Sequence, residues 1–210
     1  EQLQRQVGDL ALLVETSAAV STLLNVEKTL QIIAQNMTRV LSLNGYSISF
    51  WDREQGTLRT LLSHPQGPPF AFAEPPGTVR KVAGNPLGHR VLNERQSVNV
   101  RMSDPSANPE ISQRMERLGV QSLLIVPMVV RRRAIGQIEL MDTQRERSFD
   151  PTDIRLCEAL ANQAAAALEN ARLHTETQRR VQEQIALAKA SAAILSTLDL
   201  ETVLTRIAEQ

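Results

Sequence analysis

Alternation of apolar and polar residues predicts two β-hairpins in this chain. The first pairs residues 46–52 with 57–63, and the second pairs residues 121–130 with 134–141. Both are joined by short polar turns, and the second turn is Arg131-Arg132-Arg133. We expect this arginine triplet to be an exposed turn, with a role in binding phosphate or a partner as the alternative.

Between and after the hairpins, the pattern predicts helices with one short strand among them. In chain order these elements span residues 87–94 (helix), 97–100 (strand) and 110–118 (helix), and a long helix begins at Asp150-Pro151. A segment rich in proline and glycine, residues 64–77, predicts a loop. The order of elements indicates an α+β chain.

The two faces of the first strand differ in chemistry. Successive side chains of a strand point to opposite sides, and an antiparallel sheet needs one apolar face covered. We expect Tyr46, Ile48 and Phe50 to pack against helices, and the half-polar face, formed by Ser47, Ser49 and Trp51, to border a pocket.

The two ends of the chain share a repeated sequence. Ser17-Ala18-Ala19-Val20 recurs without a gap as Ser191-Ala192-Ala193-Ile194. Further along, Asn25 and Asp199 stand at matching positions that favour a helix N-cap. The repeat predicts one full unit followed by the first helices of a second.

The long helix carries a regular series of apolar and small residues. They recur in steps of three and four from Ile154 to Ala171 and again from Val181 to Leu195, separated by polar His174 and Gln178. Such spacing is typical of a coiled coil. The first part is expected to pack on the sheet as well, whereas the second part predicts contact with the same helix of another chain.

Composition narrows the class of protein. The chain has 210 residues with 23 basic and 23 acidic side chains, which argues against nucleic acid as the main partner. Its one cysteine, Cys157, suits a cytoplasmic protein, and no apolar run has the length of a membrane span, so no membrane contact is expected here. Because the sequence begins at Glu1, inside a helical pattern, we expect it to be a fragment of a larger protein.

Several motifs, taken in order, resemble a GAF domain over roughly Leu10 to Leu173. The resemblance implies a PAS-related α+β fold, with a central antiparallel sheet, helices on one face, a ligand-type pocket on the other, and long flanking signalling helices. The motifs are Leu87–Leu92, Ser97–Val100 with Asp104, Gly119–Met128, Ile135–Leu140, Phe149–Asp153, Leu160–Ala164 and Leu168–Leu173.

The resemblance and the repeat together imply four segments. They are an N-terminal signalling helix (1–24), a GAF domain (25–173), a coiled-coil linker helix (174–198) and the start of a second, truncated GAF repeat (199–210). We expect homodimers through the flanking helices.

Single positions of this sequence can be compared with the motifs by which known GAF domains bind their ligands. Residues 111–116 hold no cysteine where bilin-binding relatives attach their chromophore, which argues against covalent bilin. Relatives that bind cyclic nucleotides carry an Asn-Lys pair, a Phe and an Asp-Glu pair. This chain keeps Phe149 and Asp153 but has Asp142-Thr143 and Ile154 at the other positions, which argues against cyclic nucleotides. Phe149 and Asp153 are instead expected to act as a hydrophobic plug and a first-turn acid.

Catalysis is not expected. The three histidines lack metal-ligand spacing, and Cys157 is expected to be a buried core residue rather than a nucleophile. GAF-like free methionine sulfoxide reductases use loop cysteines, which this chain lacks. We therefore expect no catalytic residue and no metal, so that an enzyme is the third hypothesis.

Eight polar residues fall where the resemblance places the wall or rim of the pocket. The alternative for each is a solvated strand face or a loop cap. Trp51 is the strongest of them, because an indole can stack on a ligand while its N–H donates a hydrogen bond. The candidates are Ser49, Trp51, His89, Arg101, Asp104, Ser122, Gln137 and Glu139.

The resemblance implies a sensory or regulatory domain of a multidomain signalling protein, with a sensor histidine kinase as the expected parent. An unidentified small molecule would bias the flanking helices. The main alternative is a ligand-free spacer that only dimerises.

Overall fold

The computed structural model describes residues 26–64, 74–104 and 109–208, with side chains as far as residue 191. Four helices and six strands are present in these residues. The helices are α1 (26–40), α2 (Pro86–Leu92), α3 (Pro109–Leu118) and α4 (Pro151–Ala208). The strands are β1 (Gly45–Asp52), β2 (Thr57–His64), β3 (Val79–Lys81), β4 (Val98–Arg101), β5 (Ser122–Val130) and β6 (Arg133–Asp142).

The six strands form one antiparallel sheet in the order β3-β2-β1-β6-β5-β4. Two hairpins, β1–β2 and β5–β6, are local in sequence, and the pairing of β1 with β6 joins them. Both hairpins and the strand at 97–100 confirm the expectations from the sequence. The three-residue strand β3 was not predicted, because it is too short to show alternation.

Arg131 and Arg132, in the turn between β5 and β6, and Arg133, the first residue of β6, are all exposed, as expected. Arg131 and Arg132 adopt left-handed φ angles of 48° and 64°, the conformation that a tight hairpin turn requires at both central positions. Any role of this triplet in binding stays a prediction.

One face of the sheet, called here the helix face, carries the larger apolar core. Tyr46 and Ile48 lie in this core, as expected, whereas Phe50 is half-buried and is not among the described residues of the core. Helix α4 adds Cys157, Ala161 and Ala164. Small residues let the helix approach the strands closely. The core also receives α1 through several buried side chains: Leu30, Ile33, Ala34 and Met37.

Contact between β1 and β6 depends on a glycine. A Cβ on Gly136 would collide with the backbone oxygen of Ser49 and lie 2.6 Å from Cε of Met128. The two central strands therefore meet closely only because this position has no side chain.

The start of α4 follows the sequence prediction. The Asp150 carboxylate accepts hydrogen bonds from the backbone N–H groups of Thr152 and Asp153, at 2.7 and 2.9 Å, and so caps the helix. Phe149, just before the cap, is buried in the helix-face core, which confirms its expected role as a plug.

The end of α4 differs from the prediction at Asp199. The helix continues through this residue to Ala208, so the expected helix start at Asp199 is wrong. Neither glycine nor proline follows Pro151, so this part of the chain lacks the two residues that most strongly interrupt a helix.

The chain divides into two units, Glu1–Glu169 and Asn170–Gln210. In the second unit, Val181, Ile185 and Leu187 are exposed apolar side chains. Ion pairs four residues apart, such as Arg180 Nη2 with Glu176 Oε1 at 2.6 Å, stabilise the helix in this stretch. None of the helices in the described residues has an apolar stretch of the length that a membrane span needs.

Candidate functional site

The second face of the sheet, called here the cavity face, encloses a small polar cavity. α2, α3 and strands β4 and β5 build a separate apolar cluster over this face, which includes Val91, Ile111, Met115 and Ile125. Beside that cluster lies a cavity of about 40 Å³. Its polar walls come from Arg80, Arg114, Gln137 and Glu139.

Local sequence explains how α2 and α3 border the cavity. Asn85 caps α2 by accepting hydrogen bonds from the N–H groups of Leu87 and Gly88, at 3.0 and 3.1 Å. α3 is amphipathic and buries Ile111 and Met115. Arg114 lies between them on the same side of the helix, so its side chain points into the cavity instead of to solvent.

Glu139, in the central strand β6, is the buried charge at the floor of the cavity. Its side chain is 2% exposed and pairs with Arg80 at 3.2 Å and with Arg114. Gln137 donates a further hydrogen bond at 2.8 Å. Burial alone would raise the pKa of the Glu139 carboxyl, but Arg114 and Arg80 outweigh burial and lower its pKa to about 2.

A second carboxylate, from Glu74, contacts the same arginines from outside the sheet. Glu74 Oε2 lies 2.8 Å from Arg80 Nε, and its Oε1 lies 3.8 Å from Arg114 Nε and from Arg117 Nη2. The Glu74 side chain is 10% exposed. Two acids and two arginines therefore form a closed, charge-balanced ring that joins β3, α3 and β6.

Several buried hydroxyl groups extend the polar surface across the cavity face. Ser49 pairs in register with Thr60 of β2 and Gln137 of β6, and Ser47 pairs with Glu139. Within the described residues, the hydroxyls of Ser47, Ser49 and Thr60 and the Oε1 of Gln137 lack a hydrogen-bond partner. Leaving such groups buried without a partner costs free energy, so this face is not organised for stability alone.

The structure separates the eight predicted site residues into groups. Gln137 and Glu139 line the cavity, and Ser49 lies next to them on the same face. Trp51 and His89 line a different feature, an open groove of about 480 Å³ beside α2. His89 is exposed, and its Nδ1 lies 3.2 Å from Glu94 Oε1. Trp51 is buried, and the Arg53 guanidinium carbon lies 5.6 Å from the centre of its ring.

The remaining three predicted residues lie away from the cavity. Arg101 ends β4 and is exposed, and Asp104 follows it in a turn, where its N–H donates to the Arg101 carbonyl. The buried Ser122 hydroxyl donates to the Arg145 carbonyl at 3.0 Å and accepts from the Arg147 N–H at 2.7 Å. Ser122 therefore fixes the segment after β6.

Three residues of the charged ring were missed in the sequence: Glu74, Arg80 and Arg114. A signal existed for Arg114, because it lies three residues after Ile111 on the apolar side of α3. Glu139, placed between the apolar residues Ile138 and Leu140, also requires a buried cation as partner. Glu74 and Arg80 carried no such signal, since neither occupies a periodic pattern.

Neither a metal-binding cluster nor a reactive cysteine is found among the described residues. Among the residues that the structure describes, no group of histidine, cysteine, aspartate and glutamate could hold a metal ion. Cys157 lies in the helix-face core, as expected. Burial, with Asp153 and Glu158 nearby, raises the pKa of its thiol to about 11, which disfavours the reactive thiolate.

Comparison with known proteins identifies the family. The family model of the GAF domain matches residues 25–168, and the chain belongs to this family. The sheet order, the helix face and the cavity face are its fold. No curated protein matches the chain.

Solved structures agree on the fold. The GAF domain/HD domain protein from Geobacter sulfurreducens superposes with a TM-score of 0.58 at 20% identity, over 70% of this chain and 94% of that one. The PixJ GAF domain of Thermosynechococcus elongatus, in its blue-light absorbing form, superposes with a TM-score of 0.59 at 16% identity. The match covers 77% of this chain and 94% of that one. A domain of a putative two-component sensor histidine kinase from Sinorhizobium meliloti 1021 superposes with a TM-score of 0.54 at 18% identity. The match covers 73% of this chain and 96% of that one.

Proposed function

We propose that this GAF domain is the sensory module of a multidomain signalling protein of the sensor histidine kinase type. A small molecule binds in the cavity, and its presence is relayed through α4 to an output domain. The similarity to a domain of a putative sensor histidine kinase supports the class of parent protein.

The alternation of side chains along β6 is the observation that carries this proposal. Gln137 and Glu139 line the cavity, whereas Ile138 and Leu140 lie in the helix-face core with Ala161 and Ala164 of α4. One strand thus contacts the cavity on one side and the signalling helix on the other. A shift of β6 by a fraction of an ångström alters both faces, because packed cores do not deform continuously.

Charge in the cavity supports binding rather than packing as its purpose. Burying a charged pair is seldom more stabilising than an apolar replacement of similar volume. A domain that needed only a stable core would gain nothing from Glu139 and its two arginines. Polar groups that converge in a cleft are instead typical of small-molecule sites.

One observation favours the alternative, a ligand-free dimerisation spacer. A cavity of about 40 Å³ has room for one or two water molecules and is too small for an organic ligand unless a wall moves. The spacer predicts that removing charge from the cavity changes stability but not signalling output. The sensory proposal predicts that output changes as well.

The relay requires a second chain. Val181 and Ile185 are 47% and 42% exposed and lie four residues apart on one side of α4. We propose that they pack against the same residues of a second copy in a parallel homodimer. Sedimentation of the chain tests this step: Ile185→Glu should give a monomer, whereas Gln182→Glu, an equal change of charge at an exposed neighbour, should leave the dimer intact.

Insertions after Gln178 in the full parent protein test the relay itself. Seven added residues restore the register of the coiled coil and should preserve regulation, whereas one or two residues rotate the helix and should fix the output on or off. Autophosphorylation measures the output. If all insertions behave alike, the proposed relay is wrong.

A further inference from the structure

The structure assigns a chemical class to the ligand: we propose that the cavity binds a small carboxylic acid, whose carboxylate replaces Glu74 between Arg80 and Arg114. This inference rests on the proposed function, because it names the ligand of the same cavity. In the present conformation, Glu74 occupies the place of that carboxylate.

The two arginines form a fork suited to a carboxylate. They reach the cavity from different elements, Arg80 from β3 and Arg114 from α3, and both contact Glu139 and Glu74. Guanidinium groups bind carboxylates with directed, charge-assisted hydrogen bonds. A ligand carboxylate therefore needs no new protein group in order to bind.

Of the two glutamates, Glu74 is the one that can leave. Glu139 lies in β6, whose backbone pairs with both β1 and β5, and Gln137 also donates to its carboxylate. Glu74 precedes β3 and lies in no strand or helix. Its carboxylate can move away from the arginines without breaking any pairing of the sheet.

Charge balance selects an anion. Three charged residues that line the cavity are buried or half-buried, Arg80, Arg114 and Glu139, two positive and one negative, whereas Lys81 and Glu110 are exposed to solvent. The Glu74 carboxylate brings this group to neutrality. When Glu74 leaves, one positive charge remains uncompensated in a region of low dielectric, and a single anion restores neutrality.

An unused acceptor adds specificity. The Oε1 of Gln137 is buried in the cavity wall without a hydrogen-bond partner in the described residues. A hydroxyl or amino group next to the ligand carboxylate would donate to it. We therefore infer a short 2-hydroxy or 2-amino acid as a better ligand than a simple fatty acid.

Removal of the competing carboxylate tests the inference. In Glu74→Gln, acetate and lactate should bind at least roughly tenfold more tightly than in the unmodified chain, because no carboxylate of the protein has to leave the two arginines first. Calorimetry in chloride-free buffer gives the affinities, and fluorescence of Trp51, the single tryptophan, gives a second reading. Lactate should bind more tightly than acetate.

Controls separate this effect from a general change of charge. Glu116→Gln removes the same charge from an exposed position on α3 and should bind acetate as weakly as the unmodified chain. Acetamide, the neutral analogue of acetate, should bind to neither variant. Glu74→Ala provides a second route to the open site if the glutamine variant folds poorly, and should show the same gain.

Four results would overturn the inference. The first is an acetate affinity that is unchanged in both Glu74 variants. The second and third are binding of acetamide, or of chloride, as tight as that of acetate. The fourth is binding of inorganic phosphate with no binding of acetate. This test is independent of the insertion series. Acetate binding with an unresponsive kinase would refute the relay alone, and a responsive kinase without acetate binding would refute the carboxylate ligand alone.

Discussion

The two faces of the sheet differ in what stabilises them. On the helix face, β6 presents Ile138 and Leu140 to an apolar core closed by α4. On the cavity face, the same strand presents Gln137 and Glu139 to a ring of charges, beside hydroxyl groups that have no hydrogen-bond partner among the described residues. Apolar packing needs no directional match, whereas each buried charge depends on a particular partner. The helix face is therefore the structural half of the domain and the cavity face the responsive half.

Removing one arginine of the ring should give the largest loss of stability. Arg114→Leu leaves Glu139 with Arg80 as its remaining cation in a buried site, and we expect about 3–5 kcal/mol of destabilisation. Urea unfolding at neutral pH measures it. Arg117→Leu, at a side chain that is 70% exposed, should change stability by less than about 0.5 kcal/mol. Equal effects of the two variants would contradict the importance of the buried ring.

Acid should weaken the cavity face. The pKa of Glu139 is about 2 in the folded protein and about 4.3 when unfolded, so its ionisation stabilises the fold fully above the unfolded value. That stability, on the order of a few kcal/mol, is lost as the pH falls from about 5 to about 2. Glu139→Gln should flatten this part of the stability curve, whereas Glu116→Gln should not. A curve unchanged by Glu139→Gln would refute the assignment.

A substitution in the helix-face core should lower stability only slightly and leave regulation unchanged. Cys157→Ala removes one buried sulfur atom and should cost on the order of 1 kcal/mol, with regulation unchanged. In the native protein, a thiol reagent should label Cys157 slowly, because the side chain is buried and its pKa is raised to about 11. Rapid labelling would show that this core opens readily.

Cyclic nucleotides should show the smallest effect of all. The positions of the expected Asn-Lys pair are Asp142 and Thr143, and Asp142 is itself 3.2 Å from Arg147 in an ion pair of the segment after β6. We expect no binding of cyclic AMP or cyclic GMP by calorimetry. Affinity in the micromolar range would place this chain with the nucleotide-binding members of its family.

The sequence was sufficient for the helix face and insufficient for the cavity face. Periodicity predicted both hairpins, the closing helix and the burial of Cys157, because apolar packing leaves a regular pattern. Two of the residues predicted for the site, Gln137 and Glu139, line the cavity. The sequence did not reveal Arg80 or Glu74, since Arg80 pairs with Glu139, 59 residues away, and Glu74 contacts the distant Arg114 of α3. Such pairs are created by the fold and leave no local pattern.

Coupling between the two faces is the central claim, and hydrogen–deuterium exchange tests it most directly. Glu139→Gln alters a side chain that contacts the cavity alone, and slowly exchanging amides of β5 provide the reference for global unfolding. We predict faster exchange in β3 and α3 and, in addition, a change in α4 between residues 154 and 168, with no change in Glu116→Gln. A change confined to β3 and α3, with α4 unaffected, would contradict the claim that cavity and signalling helix are coupled.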